Sequence, residues 1–296
     1  MKKSAIRFFL LILLLSVSPA AHAQIDSELE KSAKAGNAEA QYRVGMILHT
    51  QLWGIENKND SALPWMRQAA AQNHIFAKAY LLAYDKEYKG DGKAVVRELK
   101  DHAGSPVAKY WIGNIYYAGR GVPKNQTEGV KWYTRAAEEG DALAQKALGV
   151  CYHLGYGVQK DLKKAVFWFR KAAEQGFANA QNLLGVYYEK GYAVQQDLEK
   201  AVFWFRKAAE QGYANAQNRL GFCYYQGDGV QKDLEKAVFW WQKAAEQGHV
   251  HAQYNLGDCY AAGDGVQKDL EKASFWHQKA DRNSNDARER LTQLRN

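Results

Sequence analysis

The chain is 296 residues long, with 47% hydrophobic residues, 24% charged residues and only three cysteines. Its formal net charge is +8, but acids and bases alternate along it, which suits solvated helix faces and excludes the one-sided basic stripe of a nucleic-acid binder. After residue 23 no stretch is apolar and long enough to span a membrane.

Residues 1–23 read as a secretory signal peptide. Lys2, Lys3 and Arg7 form a positive start, Phe8 to Val17 is almost unbroken apolar, and Ala21-His22-Ala23 places small residues at the cleavage positions. That run is far short of the ~20 residues a bilayer span requires. Cleavage before Gln24 is expected, and removal of three positive side chains lowers the net charge to +5. No cysteine follows that point to carry a lipid, so a soluble mature chain in the periplasm or the medium is expected.

The remainder is periodic. Trp132, Trp168, Trp204, Trp240 and Trp276 stand 36 residues apart, as do Lys109, Gln145, Gln181, Gln217 and Gln253 at a second point of the period. A fixed period of roughly 20–50 residues marks a repeat architecture, in which each unit buries its apolar face against its neighbours. Residues 24–36 are expected to form an N-terminal capping helix. Residues 37–104 hold two irregular repeats, the first with Gln41, Gly45 and Trp65 and the second shortened and without tryptophan. Residues 105–284 hold five regular repeats, and residues 285–296 a polar C-terminal capping helix.

Asp141 to Gly176 shows the logic of one unit. Ala144, Leu148, Cys151, Tyr152 and Gly155 share one side at about 100° per residue, which predicts a first helix. Gly155-Tyr156-Gly157-Val158 then breaks it, because glycine enters a left-handed turn without steric cost. Asp161 can cap a second helix, which carries Ala165, Trp168, Phe169, Ala172 and Ala173 inward and stops at Gly176. The tryptophans are thus expected to fill the interior. Cys151, Cys223 and Cys259 occupy one point of the period, too far apart on stacked repeats for disulfides, and read as small buried apolar residues.

Ala-x-Ala-Gln-x-x-Leu-Gly, Gly-x-Gly-Val, Asp-Leu-x-Lys-Ala and Trp-x-x-Lys-Ala-Ala-Glu-Gln-Gly recur in register, and with them the chain resembles the Sel1-like repeat (SLR) family. The resemblance implies an all-α fold, a right-handed superhelical solenoid of stacked helix-turn-helix repeats of about 36 residues, related to the tetratricopeptide repeats. Family relatives that bind β-lactams carry paired cysteines within each repeat. This chain has no such pairs, so that activity is not expected here.

Nothing in the sequence assembles a catalytic centre. No serine has a lysine three residues on, and no Gly-x-Ser-x-Gly elbow occurs. His249 and His251 form a His-x-His pair, but no third ligand of matching spacing follows, so neither metal nor cofactor is expected.

Two surfaces ask for a partner. Positions one, five and eight after the Gln landmark point away from the inward stripe of the first helix. They read Tyr110, Asn114, Tyr117; Lys146, Val150, His153; Asn182, Val186, Glu189; Asn218, Phe222, Tyr225; and Tyr254, Asp258, Ala261. The middle row is apolar at its centre, where an outward residue has no reason to be Val or Phe. In the resembled family the first helices line the concave face where partners lie, so all of these except Ala261 are candidate partner-binding residues. On the second helix Phe167, Phe203, Phe239 and Phe275 form another row, expected to be covered by neighbouring Lys and Arg stems. The expected function is an exported, monomeric, non-enzymatic scaffold that binds a protein or peptide. The alternatives are a secreted factor for a host or cell-surface protein, and an envelope enzyme or cell-wall-ligand protein.

Overall fold

The structure, a computed structural model, describes residue 25, residues 27–51 and residues 59–293. The expected signal peptide, residues 1–23, lies outside the described residues. Fifteen helices and no strand occur among the described residues. They are α1 (Ser27–Lys34), α2 (Ala38–Gln51), α3 (Asn59–Ala71), α4 (Ile75–Tyr84), α5 (Gly92–Asp101), α6 (Pro106–Ala118), α7 (Gln126–Glu138) and α8 (Ala142–Leu154). There follow α9 (Leu162–Glu174), α10 (Ala178–Lys190), α11 (Leu198–Glu210), α12 (Ala214–Gln226), α13 (Leu234–Glu246), α14 (Val250–Ala262) and α15 (Leu270–Gln293). Consecutive helices pack as pairs, α6 on α7, α8 on α9, α12 on α13 and α14 on α15, which is the all-α architecture of a tandem-repeat solenoid. Residues 27–49 and 60–180 form one compact unit, and residues 181–293 a second.

Local chemistry sets the helix ends. Asn125, Asp161, Asp197, Asp233 and Asp269 each accept the backbone N–H three residues on, at 2.8–3.0 Å, and so start α7, α9, α11, α13 and α15. Gly119, Gly155, Gly227 and Gly263 end first helices in the left-handed region, with φ of 72–89°. Two residues further on, a Cβ on Gly157, Gly229 or Gly265 would lie 2.3–2.5 Å from a carbonyl oxygen that opens the preceding second helix. In the loop after α10 this place is taken by Ala193, at φ 55°.

Buried amides tie successive helices together. Gln145 Nε2 donates to the Ala137 carbonyl at 3.1 Å, and its Oε1 accepts from Gln175 Nε2 at 2.7 Å. Gln217 repeats both bonds with Ala209 and Gln247, at 3.1 and 2.7 Å. Gln41 does the same with Ala33 of α1 and with Gln72, at 3.1 and 2.9 Å. Helix α1 thus supplies Gln41 with the carbonyl that α7 and α11 supply to Gln145 and Gln217.

Four expectations meet the structure differently or more sharply. The fully buried position of the second helix is the one after the tryptophan: Tyr133, Phe169, Phe205 and Trp241 are buried, whereas Trp132, Trp168, Trp204, Trp240 and Trp276 are half-buried. The apolar stripe of α9 runs through Ala165, Val166, Phe169, Ala172 and Ala173, and Trp168 sits at its edge with its ring edge-on to Phe167. The ~3–5 kcal/mol cost of truncating a buried aromatic therefore attaches to Phe205 rather than Trp204. Second, α15 runs unbroken to Gln293, so residues 285–293 continue it and start no separate capping helix. Ser284 stands where Gly176, Gly212 and Gly248 stop the earlier second helices. Third, the three cysteines are buried free thiols, and burial pushes each up to about 12. Fourth, His249 caps α14: its Nδ1 accepts from Ala252 N–H at 3.2 Å and its Nε2 lies 2.9 Å from Asn215 Oδ1.

Two predictions follow from these caps and turns. Left-handed backbone costs a non-glycine residue about 1–2 kcal/mol. Ala193→Gly should therefore raise stability by about 1 kcal/mol, read as a higher urea midpoint at unchanged slope; a lower midpoint would contradict the strain. Burial, and secondarily His251, pushes the His249 imidazole down to about 4. The unfolded chain then binds a proton that the folded chain refuses. Stability is complete above about pH 6.5 and falls by up to ~3 kcal/mol as the pH drops towards 4. His249→Asn, which keeps a cap acceptor, should flatten that part of the curve, and an unchanged pH profile would contradict the assignment.

Candidate functional site

In the first unit, the first-helix positions expected to face outward fall into two groups. Tyr110 and Lys146 are buried, whereas Asn114, Tyr117, Val150 and His153 are half-buried. Tyr110 packs edge-to-face on Trp111, with ring centroids 5.0 Å apart, and is hydrogen-bonded with Tyr84, which also bonds Asn114. Tyr117 lies 6.0 Å from the Tyr133 ring and bonds Cys151; burial above all pushes its phenol up to about 12. Burial alone pushes the Lys146 ammonium down to about 8.

His49 adds to the same interior. Its Nδ1 lies 3.1 Å from Tyr80 Oη and its ring 4.7 Å from Tyr84, and burial first, then the Lys146 charge, push it down to about 3. Reading only the five regular repeats misses His49, Tyr80 and Tyr84. A signal for one of them was present, since His49 is eight residues after Gln41 and so matches Tyr117 and His153. This set of phenols, imidazole and amine builds a polar interior and presents little to a partner.

The second unit carries a surface. Asn182, expected to point outward, is buried, and its Oδ1 meets no donor among the described residues. Val186 and Glu189 are half-buried, and Glu189 is paired with Arg219 at 3.1 Å. Phe222 is 44% exposed although it projects from a regular helix. Its ring stands edge-to-face on Trp241 of α13, centroids 5.5 Å apart at 84°, and Tyr225 packs on the same indole at 5.4 Å.

Each member of that group is pinned. Trp241 Nε1 donates to the Asn218 carbonyl at 3.1 Å, and Tyr225 Oη donates to Asp264 at 3.1 Å, which raises the phenol's pKa. Asn218 Oδ1 accepts from Asn255 at 3.2 Å. Asp258, the polar end of the row, is exposed and pairs with His277 at 3.0 Å, while Tyr254 donates to Asp281 beside it. The geometry is a hydrogen-bonded aromatic platform, Phe222–Trp241–Tyr225, with Arg219, Glu189, Asp258 and Asp264 around it. Trp241 was not singled out from sequence, although its helix alone puts Trp where Phe169 and Phe205 stand.

His249 and His251 are 6.0 Å apart by ring centroid, with His249 committed to its cap and to Asn215. Among the described residues no three His, Cys, Asp or Glu side chains are grouped to hold a metal ion. No helix of the described residues is long and apolar enough to cross a membrane.

Comparison with known proteins agrees with this arrangement. The family model described as Sel1 repeat matches residues 38–74, 106–141, 142–177, 178–213, 214–249 and 250–280. The shortened unit containing α4 and α5 is left unmatched. The crystal structure of a Sel1 repeat protein from Oxalobacter formigenes is 36% identical, covering 67% of this chain and 84% of that one, with a TM-score of 0.60. The structure of c5321, a protective antigen present in uropathogenic Escherichia coli strains and displaying an SLR fold, is 32% identical with a TM-score of 0.65. That match covers 87% of this chain, which spans only 56% of the antigen's. Among curated proteins none matches. Sel1 repeats are generally non-catalytic scaffolds for protein–protein interaction. With six matched repeats and the tandem helix pairs that they build, the chain belongs to the Sel1 repeat family.

Proposed function

We propose that the protein is an exported, non-enzymatic scaffold that holds an extended segment of another protein against the first-helix face of its second unit, with Phe222 as the anchor. The observation that carries this is the Phe222 platform. A large apolar ring is left 44% exposed on a well-formed helix, yet stands edge-to-face on Trp241, on which Tyr225 also packs. A ring already held in place loses little freedom when a partner covers it, and binding energy concentrates on such buried-on-binding aromatics. The half-buried Asn218 and the ion pairs of Glu189 and Asp258 supply polar groups at its edge, where a segment's backbone needs them. Export is supported by the charged, apolar and small-residue pattern of residues 1–23, and an exported scaffold would meet its partner in the periplasm or outside the cell.

Affinity capture from envelope extract and culture supernatant, read by mass spectrometry with wild-type and Phe222→Ser protein side by side, tests this reading. The variant should lose a partner that the wild type retains, by roughly 30-fold or more in affinity, while helical content and melting temperature stay within a few degrees. Equal capture by both proteins, or a collapse of the variant's stability, would contradict it.

A further inference from the structure

A different surface of the second unit, built by its second helices, carries a repeated charge pattern. Phe203, Phe239 and Phe275 occupy one position of α11, α13 and α15 and are 49%, 51% and 56% exposed. Each ring is fixed edge-to-face on the neighbouring tryptophan, Trp204, Trp240 or Trp276, with centroids 5.0–5.2 Å apart. Each also has a lysine ammonium four residues on, Lys207, Lys243 or Lys279, 4.9–5.7 Å from the ring centroid. Four residues before each ring stands an acid: Glu199, Glu235 or Glu271. Residues four apart share a helix face. Every one of the three helices therefore shows the same stripe, an acid, an exposed phenylalanine and a base, about 12 Å from end to end.

The neighbouring basic residues are already engaged. Lys200, Lys236 and Lys272 pair with the capping aspartates of their own helices at 2.7, 2.8 and 3.4 Å, which leaves the Glu–Phe–Lys stripe as the repeated feature of the face. The exception in the first unit is instructive. Phe167 is equally exposed, but Lys163 stands at its acid position, so α9 has no such polarity.

A stripe that is acidic at one end and basic at the other, with an apolar centre, is complementary to itself when reversed. Three such stripes fix one arrangement. If the two-fold axis runs along the row of phenylalanines, each helix lies antiparallel on its own counterpart, ring meets ring, and every glutamate faces a lysine. If the axis runs along the helices instead, glutamates face glutamates and the contact is repelled. A membrane surface fits less well, because three carboxylates sit on the same stripes and anionic headgroups would repel them.

We propose that this face is the interface of a homodimer, formed by a second copy of the chain across a two-fold axis along Phe203, Phe239 and Phe275.

Sedimentation equilibrium of the purified chain tests this with two charge variants. One carries Lys207→Glu, Lys243→Glu and Lys279→Glu, and the other Glu199→Lys, Glu235→Lys and Glu271→Lys. Five of the six positions are exposed and Lys279 is half-buried, and circular dichroism verifies that both variants fold. The wild type should show a concentration-dependent doubling of mass. Each variant alone should self-associate at least about 100-fold more weakly, because like charges then meet at both ends of every stripe. An equimolar mixture of the two should recover the dimer as a heterodimer. A wild type that stays monomeric at all concentrations would overturn the proposal, as would variants that dimerise as well as the wild type or a mixture that stays monomeric. Binding of the monomeric wild type to anionic vesicles, lost in Phe239→Ser, would overturn it in favour of a lipid surface. None of these outcomes bears on the Phe222 face, which lies on the other set of helices.

Discussion

In every matched repeat a glycine of the first helix lies against a large side chain of the second, at a distance that leaves no room for a methyl group. A Cβ on Gly149, Gly185 or Gly221 would stand 2.6 Å from a ring atom of Phe169, Phe205 or Trp241, and one on Gly113 2.7 Å from Tyr133. Gly45 stands in the same relation to Met66, and Gly257 to His277. Glycine inside a helix costs about 1 kcal/mol relative to alanine, so its presence six times at one position needs a compensating contact. The compensation is the close approach of two helices, with a large side chain against the glycine backbone and many dispersion contacts per repeat. That contact decides which face of the second helix is interior, and so which residues are left outside. Phe222 and Tyr225 become a platform because Trp241 is held there by Gly221. Phe239 is exposed because Trp241, two residues on, takes the interior place.

The second constraint is polar. A repeat solenoid buries the ends of helices against one another, and their free carbonyls must find donors. The glutamines do this, each giving its amide N–H to one helix end while its oxygen accepts from the glutamine that closes the next. One repeat uses other chemistry at the same two positions. Lys109 stands in place of Gln145 and Glu139 in place of Gln175, and the two form an ion pair. Both residues changed type together, and the tie between the helices survives. This pairing is the physical content of the second periodic landmark, in which Lys109 otherwise looks like an exception.

Much of this was legible in the chain itself. The period, the cap at Asp161, the turn glycines and the buried cysteines are all local or periodic properties, and local chemistry determines them. The interior aromatics were assigned in part: Phe169 was expected inward and is buried, and Phe167 was placed on the outer row and is exposed, but Trp168 was also expected inward and is half-buried. Hydropathy cannot choose between the adjacent Trp168 and Phe169, and the position of the facing glycine does. The outward positions failed differently. Tyr110 and Lys146 look outward on their own helices, but Tyr110 bonds Tyr84 and Lys146 lies near His49, both contributed by the irregular repeats, where the period slips. His49 joins them from a repeat whose register is visible only once Gln41 is aligned with Gln145. Phe222 and Asp258 are exposed on the outer side of their helices, each touching the facing second helix through Trp241 and His277.

A double-mutant cycle on Gly221 and Trp241 measures the contact on which the rest depends. Alone, Gly221→Ala should destabilise the protein by roughly 1–3 kcal/mol in urea unfolding, because the added methyl overlaps the indole. In a Trp241→Ala background the same substitution should cost nothing, or stabilise by about 1 kcal/mol through helix propensity. Equal costs in the two backgrounds would contradict the account, since the glycine would then be there for some reason other than the ring it faces.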